Sequence, residues 1–382
     1  MHAPLSSEPR PRVVLDLEKL RHRNCGLGRF ALHLTEGLVA RTGRPVDFVL
    51  FARPETVPRL AAEMPVIPVR PWRKAAFTSL CGPLLRPFLR PPDYAVWHVT
   101  NQTSKYLPLD PDVPVVLTIH DLNYLHDARH RGRPAAVIRK LARVQRHVDR
   151  AAVIVTDSQW VANDVRTELR LGSKPLIVVP PGLAVPAPAS AQPPAFAPRG
   201  PFFYALGNAL AHKNFHVLPD VLRFFPDHVL VIAGKIDTPY GESLARDVAL
   251  GGLTDRVIFP GQVSDGDRQW LYEHCDVFLL PSLTEGFGFP VLEAMHGGRP
   301  VCMSRRTSLP ELGGDLGFYW DTYDPEHMQA VIRAALAAAA DPAFGDRLRH
   351  RAASFSWQHT VDGYLSIYTD LIGRAVPRRR AA

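Results

Sequence analysis

The sequence has 382 residues, 46% of them hydrophobic, which is enough for two domains with substantial cores and too apolar for a disordered chain. No apolar run approaches the roughly 20 residues of a membrane-spanning helix; the opening MHAPLSSEPRPR lacks the apolar stretch of a secretory signal; and Cys25, Cys81, Cys275 and Cys302 have neither metal-ligand spacing nor the density of a disulfide scaffold, so a reducing cytoplasm is the expected compartment. The net charge of +8 is uneven, with 27 Lys and Arg against 16 Asp and Glu in residues 1–190 and 18 against 21 in residues 191–382.

In chain order, RVVLDL (12–17) is predicted as a strand, GRFALHLTEGLVART (28–42) as a helix and VDFVLF (46–51) as a strand. The segment 70–91 then mixes five basic residues with Trp72, Phe77, Leu84, Leu85, Phe88 and Leu89. Such a stretch suits peripheral attachment to anionic lipid; its prolines argue against one long helix, and an excursion packed on the domain is the alternative. YAVWHVT (94–100), VPVVLTIHD (113–121), AAVIVTDS (151–158) and LIVVPPG (176–182) are predicted as buried strands. PAPASAQPPAFAPRGP (186–201) has six prolines and no period, and reads as a linker. Five further strands are predicted at 201–208, 228–234, 256–261, 276–282 and 299–304, with helical segments between them and a surface helix over AVIRAALAAAADPAF.

Strands alternating with helices in both halves predict two α/β domains, each a doubly wound, Rossmann-like parallel sheet, facing across a cleft. The expected boundaries are 1–185 for the first domain, 186–200 for the linker, 201–360 for the second, and 361–376 for a terminal helix that returns to the first. Ligands of such sheets bind beyond the carboxyl ends of the strands.

The strongest motif is SLTEGFGFPVLEAMHGGRPV (282–301). Its glycines, Gly286 and Gly288, permit a tight turn, and Pro290 suits the first turn of a helix. Glu285 therefore lies in a loop and Glu293 about one turn into the helix. The amides from Phe287 to Phe289 face outward at the helix start, where an anion is favoured. Two carboxylates around a phosphate cradle suit a ligand with hydroxyls on both sides of a diphosphate, as in a nucleotide sugar.

That string resembles the signature of the family-4 (group 1) glycosyltransferases, which have the GT-B fold and retain anomeric configuration. The resemblance implies that Glu285 approaches the donor sugar and Glu293 binds the ribose hydroxyls, with Gly286, Phe287, Gly288, Phe289 and Leu292 in the same donor-binding stretch. Further landmarks follow over nearly the whole chain. RNCGLGRF (23–30), with Gly26 and Gly28, is similar to the family's N-terminal glycine loop near donor phosphate and acceptor. ALGNALAHKNFHVL (205–218) offers Lys213 to the diphosphate; many family members have an arginine where this chain has Asn208, and Arg29 is a candidate for the missing charge. VVLTIHDLNYLH (115–126) puts His120 at a strand end, where the family has a histidine close to the donor sugar. TDSQWVANDV (156–165) and VVPPGL (178–183) resemble cleft turns, Val257 and Val263 belong to the segment that meets the nucleobase, and FSWQHTVDGYLSIY (355–368) resembles the terminal helix.

What the resemblance implies is a retaining, metal-independent hexosyltransferase with His120, Lys213 and Glu285 catalytic, no cofactor and no metal ligands. The expected donor is GDP-mannose, with UDP- and dTDP-hexoses as alternatives. The expected acceptor is a glycan or lipid-linked sugar of lipopolysaccharide or exopolysaccharide assembly, reached from the inner face of the cytoplasmic membrane. A GT-B sugar-nucleotide epimerase and a non-catalytic subunit of a glycan-assembly complex are the rival readings. No nucleic-acid partner is expected, since no zinc, RNP-type or helix-turn-helix signature is present.

Overall fold

In the computed structural model, which describes residues 9–22, 26–70, 93–126, 134–184, 188, 190 and 192–379, the chain forms two compact units. Most of the basic 70–91 segment lies outside the described residues, as do Arg23–Cys25 of the N-terminal glycine motif. No helix among the described residues is long and apolar enough to cross a membrane.

The first unit takes in described residues of 1–122, 130–182 and 357–382. Its β-branched runs form β1 (Arg12–Asp16), β2 (Asp47–Ala52), β3 (Val66–Pro68), β4 (Val96–Val99), β5 (Val115–Ile119), β6 (Val153–Thr156) and β7 (Leu176–Val178). All pair in parallel, in the order β3-β2-β1-β4-β5-β6-β7. Near-continuous apolar strands such as Val115–Ile119 are what a sheet covered on both faces requires. Helix α1 (Gly26–Ala40) follows β1, and α2 (Ala135–Arg150) and α3 (Gln159–Glu168) flank β6. The Ser158 hydroxyl accepts the Val161 amide at 3.2 Å and so caps α3.

The second unit, residues 183–356 with 123–126, has β8 (Phe202–Leu206), β9 (Val229–Ala233), β10 (Val257–Gly261), β11 (Val277–Leu280), β12 (Val301–Ser304) and β13 (Phe318–Trp320). These are also all parallel, in the order β10-β9-β8-β11-β12-β13. The helices are α4 (Pro239–Leu250), α5 (Asp265–His274), α6 (Phe289–His296), α7 (Leu309–Gly313), α8 (Pro325–Ala339) and α9 (Pro342–Ala353). Two apolar layers cover the sheet, one around Tyr204, Tyr272 and Leu292 and the other around Phe203, Leu279 and Trp320.

Two departures from expectation have simple causes. The edge strands β3 and β13 are short and carry Pro68 or a run of aromatics in place of a β-branched stretch, and Pro68 is tolerated because it sits on an edge; β7, also three residues on an edge, was expected to be buried and is partly exposed, Ile177 by 37%. Between β8 and β9 the chain makes 3₁₀ turns at 211–213, 215–217 and 219–224 where helical segments were expected. Asn214 sits in the left-handed region at φ 57°, which interrupts any α-helix, and Pro219 removes a donor.

The last helix, α10 (Trp357–Arg379), belongs to the first unit. It crosses α1 at Gly37, where a Cβ would come within 2.6 Å of Val361, so glycine sets the spacing. Tyr364 and Tyr368 enter the core beside Leu34 and Phe48. The Tyr368 hydroxyl lies 2.7 Å from His98 Nδ1, the Thr118 hydroxyl 2.8 Å from His98 Nε2, and the Tyr364 hydroxyl 2.8 Å from Thr118 Oγ1, so a wholly buried polar chain ties α10 to β4 and β5.

Each strand order reverses direction once, between β1 and β4 in the first sheet and between β8 and β11 in the second. Loops leaving neighbouring strands at such a point diverge to opposite faces and leave a crevice.

Candidate functional site

In the second unit the loops after β8 and β11 carry Lys213 and Glu285. Gly207 (φ 149°) and Gly234 (φ 127°) let the loops after β8 and β9 touch: a Cβ on Gly234 would stand 2.2 Å from the Gly207 carbonyl oxygen. The amide of Ala209 donates to the Lys235 carbonyl at 2.8 Å, and that of Lys235 to Asn208 Oδ1 at 3.2 Å. Asn208, where an arginine is common in the family, is thus a clasp between two loops. The Lys213 stem lies over Gly207, where a Cβ would be 3.1 Å from Lys213 Cε. The Leu283 amide donates to the His212 carbonyl at 2.7 Å and draws the β11 loop alongside. Lys213 Nζ then donates to Glu285 Oε1 at 2.6 Å, with the two side chains 14% and 13% exposed.

The 285–289 loop is held from behind by residues after β12. Thr307, β-branched and at φ 53°, accepts the Glu285 amide on Oγ1 at 3.2 Å. Ser308 donates to the Phe287 carbonyl at 2.7 Å. Gly288 (φ 111°) precedes α6, and a Cβ there would meet Leu309 at 2.8 Å and Leu312 at 3.0 Å. No side chain caps α6, and the amides of Gly286, Phe287, Gly288 and Phe289 have no acceptor among the described residues. Unpaired amides at a helix start are the kind of arrangement that favours an anion. On α6, Glu293 accepts the Tyr272 hydroxyl at 2.8 Å, with Arg268 Nε 3.9 Å away. Burial and the adjacent Glu293 charge hold the Tyr272 hydroxyl well above its ordinary range, which keeps it a donor.

The structure thus brings Asn208, Lys213, Glu285, Gly286, Phe287, Gly288 and Phe289 onto adjoining loops, with Glu293 one helical turn on. Val257 is not brought there. It opens β10 at the end away from these loops, and its side chain packs in the core. Leu292 is wholly buried, so that only its backbone could serve a ligand. Val263 follows β10 and is half-buried against the core around Tyr272. Among the described residues no three His, Cys, Asp or Glu side chains are grouped to hold a metal ion.

In the first unit, Gly26 begins α1 with nothing within 4 Å of where a Cβ would stand, and Gly28 is buried in the helix. His120 follows β5 and is 6% exposed. Its Nδ1 lies 2.6 Å from Asp157 Oδ2 and its Nε2 2.9 Å from the Thr100 carbonyl oxygen.

Two family models match the chain, "Glycosyltransferase Family 4" over residues 25–185 and "Glycosyl transferases group 1" over residues 188–353. The chain belongs to the group 1/family 4 glycosyltransferases. This family member is 32% identical over 181 residues, 45% of its length, to the serotype-specific mannosyltransferase WbdA of Escherichia coli, of which the match spans 22%. It is 30% identical over 166 residues to the lipopolysaccharide core biosynthesis mannosyltransferase LpcC of Rhizobium leguminosarum bv. viciae, covering 40% of this chain and 46% of that one. The chain therefore spans less than half the length of either curated relative. Sucrose-phosphate synthase from Thermosynechococcus elongatus shares its architecture with a TM-score of 0.68 at 18% identity, over 96% of this chain and 100% of that one. HepE from Anabaena, solved with UDP and glucose, does so with 0.65 at 16%, over 94% and 100%. The fold of this glycosyltransferase-family chain is GT-B, two Rossmann-like parallel-sheet units.

Sequence reasoning passed over Tyr272, Thr307, Ser308 and Asp157. Tyr272 lies mid-helix with nothing to mark it as polar-facing. Thr307 and Ser308 act across 22 and 21 residues of sequence. Asp157 had a signal: it adjoins Ser158 in the turn after β6, at a carboxyl strand end.

Proposed function

We propose that this chain is a retaining, metal-independent glycosyltransferase that moves a hexose from a nucleotide diphosphate to a glycan or lipid-linked acceptor in lipopolysaccharide or exopolysaccharide assembly. The observation that carries the reading is the Lys213–Glu285 pair, 2.6 Å apart, which joins the loop after β8 to the loop that leads into the open amides of 286–289. Lys213 and the helix start would hold the diphosphate, Glu285 the sugar hydroxyls, and Glu293, oriented by Tyr272, the ribose. In the transfer, the bond from the anomeric carbon to the phosphate oxygen breaks with its electron pair going to phosphate. The acceptor oxygen bonds to the same face of that carbon, and its proton passes to the departing phosphate oxygen. The products are a glycoside and a nucleoside diphosphate. Stabilising the leaving charge by preorganised donors is the main protein contribution.

Mannose from GDP-mannose is the first donor to test. The names of WbdA and LpcC support mannose; UDP in the HepE structure keeps uridine nucleotides in the panel. Purified protein is screened against nucleotide sugars for thermal shift, donor hydrolysis and transfer, with and without EDTA, and the anomeric configuration of the product is read by NMR. One donor should raise the unfolding temperature in the intact chain and not in Lys213→Ala. An equal response of both proteins to every donor would reject the site.

We also propose a cytoplasmic location with peripheral contact to anionic lipid, supported by the basic composition of 70–91. Neutralising Arg70, Arg73, Lys74, Arg86 and Arg90 together should abolish sedimentation with anionic vesicles; unchanged sedimentation would remove the proposal.

A further inference from the structure

Both ring nitrogens of His120 face oxygen atoms. The Thr100 carbonyl oxygen near Nε2 can only accept, and so can an ionised Asp157 carboxylate near Nδ1. A neutral imidazole beside a carboxylate has one N–H and would set a lone pair against one of these oxygens. The doubly protonated ring satisfies both. A neutral ring beside a protonated Asp157 shares the same heavy-atom positions, so the two states differ only in where one proton lies.

We propose that Asp157 is a positioning residue that holds His120 as a fixed imidazolium, so that His120 enters glycosyl transfer as a buried cation and not as a proton acceptor. This rests on the glycosyl-transfer reading for what the cation acts on; the charge state is argued from the two oxygens at the ring together with the charges around it. The ring has little freedom to turn. Phe30 from α1 meets it edge-on at 4.5 Å between centroids, and Gln102 accepts the His120 amide at 3.2 Å while donating to the Asp121 carbonyl at 2.8 Å. The groups that face the pair are His98 from β4, Asp121 next in the chain, and Tyr364 from α10. Burial holds His98 neutral, at about 3, and holds the Tyr364 hydroxyl well above its ordinary range. Burial opposes charge on His120 as well, but the Asp157 charge and hydrogen bond, the Thr100 carbonyl and Asp121 outweigh it and raise the imidazole above its ordinary value.

A fixed cation cannot take the acceptor's proton. Transfer should then fail on the alkaline side as His120 deprotonates, with no acid limb of its own.

The test is nitrogen NMR of the full chain labelled in histidine, with His120→Gln to assign the signal. At pH 7 both ring nitrogens of His120 should carry hydrogen. Asp157→Asn should lower the pH at which the second proton is lost by about 1–3 units, the scale of removing one close opposite charge. The alkaline limb of kcat should move down by the same amount, and Asp157→Glu should restore both. A ring with one N–H at pH 7, or an Asp157→Asn variant that titrates like the parent, overturns the proposal. The parent spectrum alone decides the charge state if Asp157→Asn does not fold. Absence of transfer with every donor would sink the glycosyl-transfer reading and the cation's role in it, while the spectrum still decides the charge.

Discussion

The ammonium of Lys213 and the carboxylate of Glu285 neutralise one another 2.6 Å apart at the switch point of the second sheet. A diphosphate that engages Lys213 competes with that carboxylate. Glu285→Gln should therefore tighten binding of free nucleoside diphosphate by roughly three- to tenfold, the scale of an ion pair worth about 1 kcal/mol. Turnover should fall by about 100-fold or more as the sugar loses its carboxylate. Lys213→Ala should weaken the same binding by about 10- to 100-fold, as for the loss of a charge-assisted hydrogen bond. Isothermal titration of all three proteins checks both signs, and weaker binding by Glu285→Gln would show that no such competition exists.

Gly288 joins the open amides to α6 at φ 111°, with Leu309 and Leu312 directly behind it. Gly288→Ala should cost about 1–3 kcal/mol of stability, since a side chain is strained there and drives into leucine. Because the loop must shift to relieve the contact, nucleotide affinity should fall more than that of a control such as Gly43→Ala. Gly43 also has a positive φ, 65°, but nothing lies within 4 Å of its would-be Cβ. Chemical denaturation and titration of the two variants separate strain from displacement.

Tyr272→Phe removes the hydroxyl that reaches Glu293 at 2.8 Å and keeps the ring. If Glu293 serves ribose, the variant should bind nucleoside diphosphate about three- to tenfold less tightly, a hydrogen-bond-sized effect. Its binding of inorganic pyrophosphate, which has no ribose, should be unchanged. Equal losses for both ligands would assign Tyr272 to the anion cradle.

Two buried groups of the first unit titrate in opposition. Burial raises the Asp16 carboxyl from 3.8 to about 7, partly offset by the Ser104 hydroxyl and the Glu18 amide. The folded chain holds that proton more tightly, so the stabilisation is complete below pH 3.8 and is lost as pH rises through about 7. Burial lowers His98 from 6.5 to about 3, so its stabilisation is complete above pH 6.5 and is lost as pH falls through about 3. Between pH 3.8 and 6.5 the two slopes cancel. Urea unfolding of Asp16→Asn across this window should lose about 1.4 kcal/mol per pH unit on acidification relative to the parent. His98→Gln should gain by a similar amount. A parallel course for parent and Asp16→Asn would place the Asp16 proton elsewhere.

The long β-branched runs, from RVVLDL to RPVCMS, were legible as strands because a parallel sheet covered on both faces needs continuous apolar stretches. β3 and β13 were not, since VIP and FYW lack the β-branched run that marked even the three-residue edge strand β7. Glu285 in a loop and Glu293 one turn into α6 followed from GFGFP, a local pattern of glycine and proline. The contacts that fix those carboxylates were out of reach. Tyr272 and Thr307 arrive from other elements, and nothing in a single sequence says which side chains meet when strands reorder. Asn208 was legible as a departure from the family arginine, yet its actual bond, to the Lys235 amide, depends on two glycines letting two backbones touch.

Because α10 supplies Tyr364 and Tyr368 to the core of the first unit, that unit is assembled from segments more than 170 residues apart in sequence, 130–182 and 357–382. On the ribosome, the sheet that contains β1 lacks part of its core, with His98 Nδ1 and the Thr118 hydroxyl missing their Tyr368 and Tyr364 partners, until the second unit has been made and residue 368 has cleared the exit tunnel. The second unit can close on itself first. Nascent chains stalled before Trp357 should therefore present a protease-resistant second unit beside a first unit that remains open to holdase chaperones.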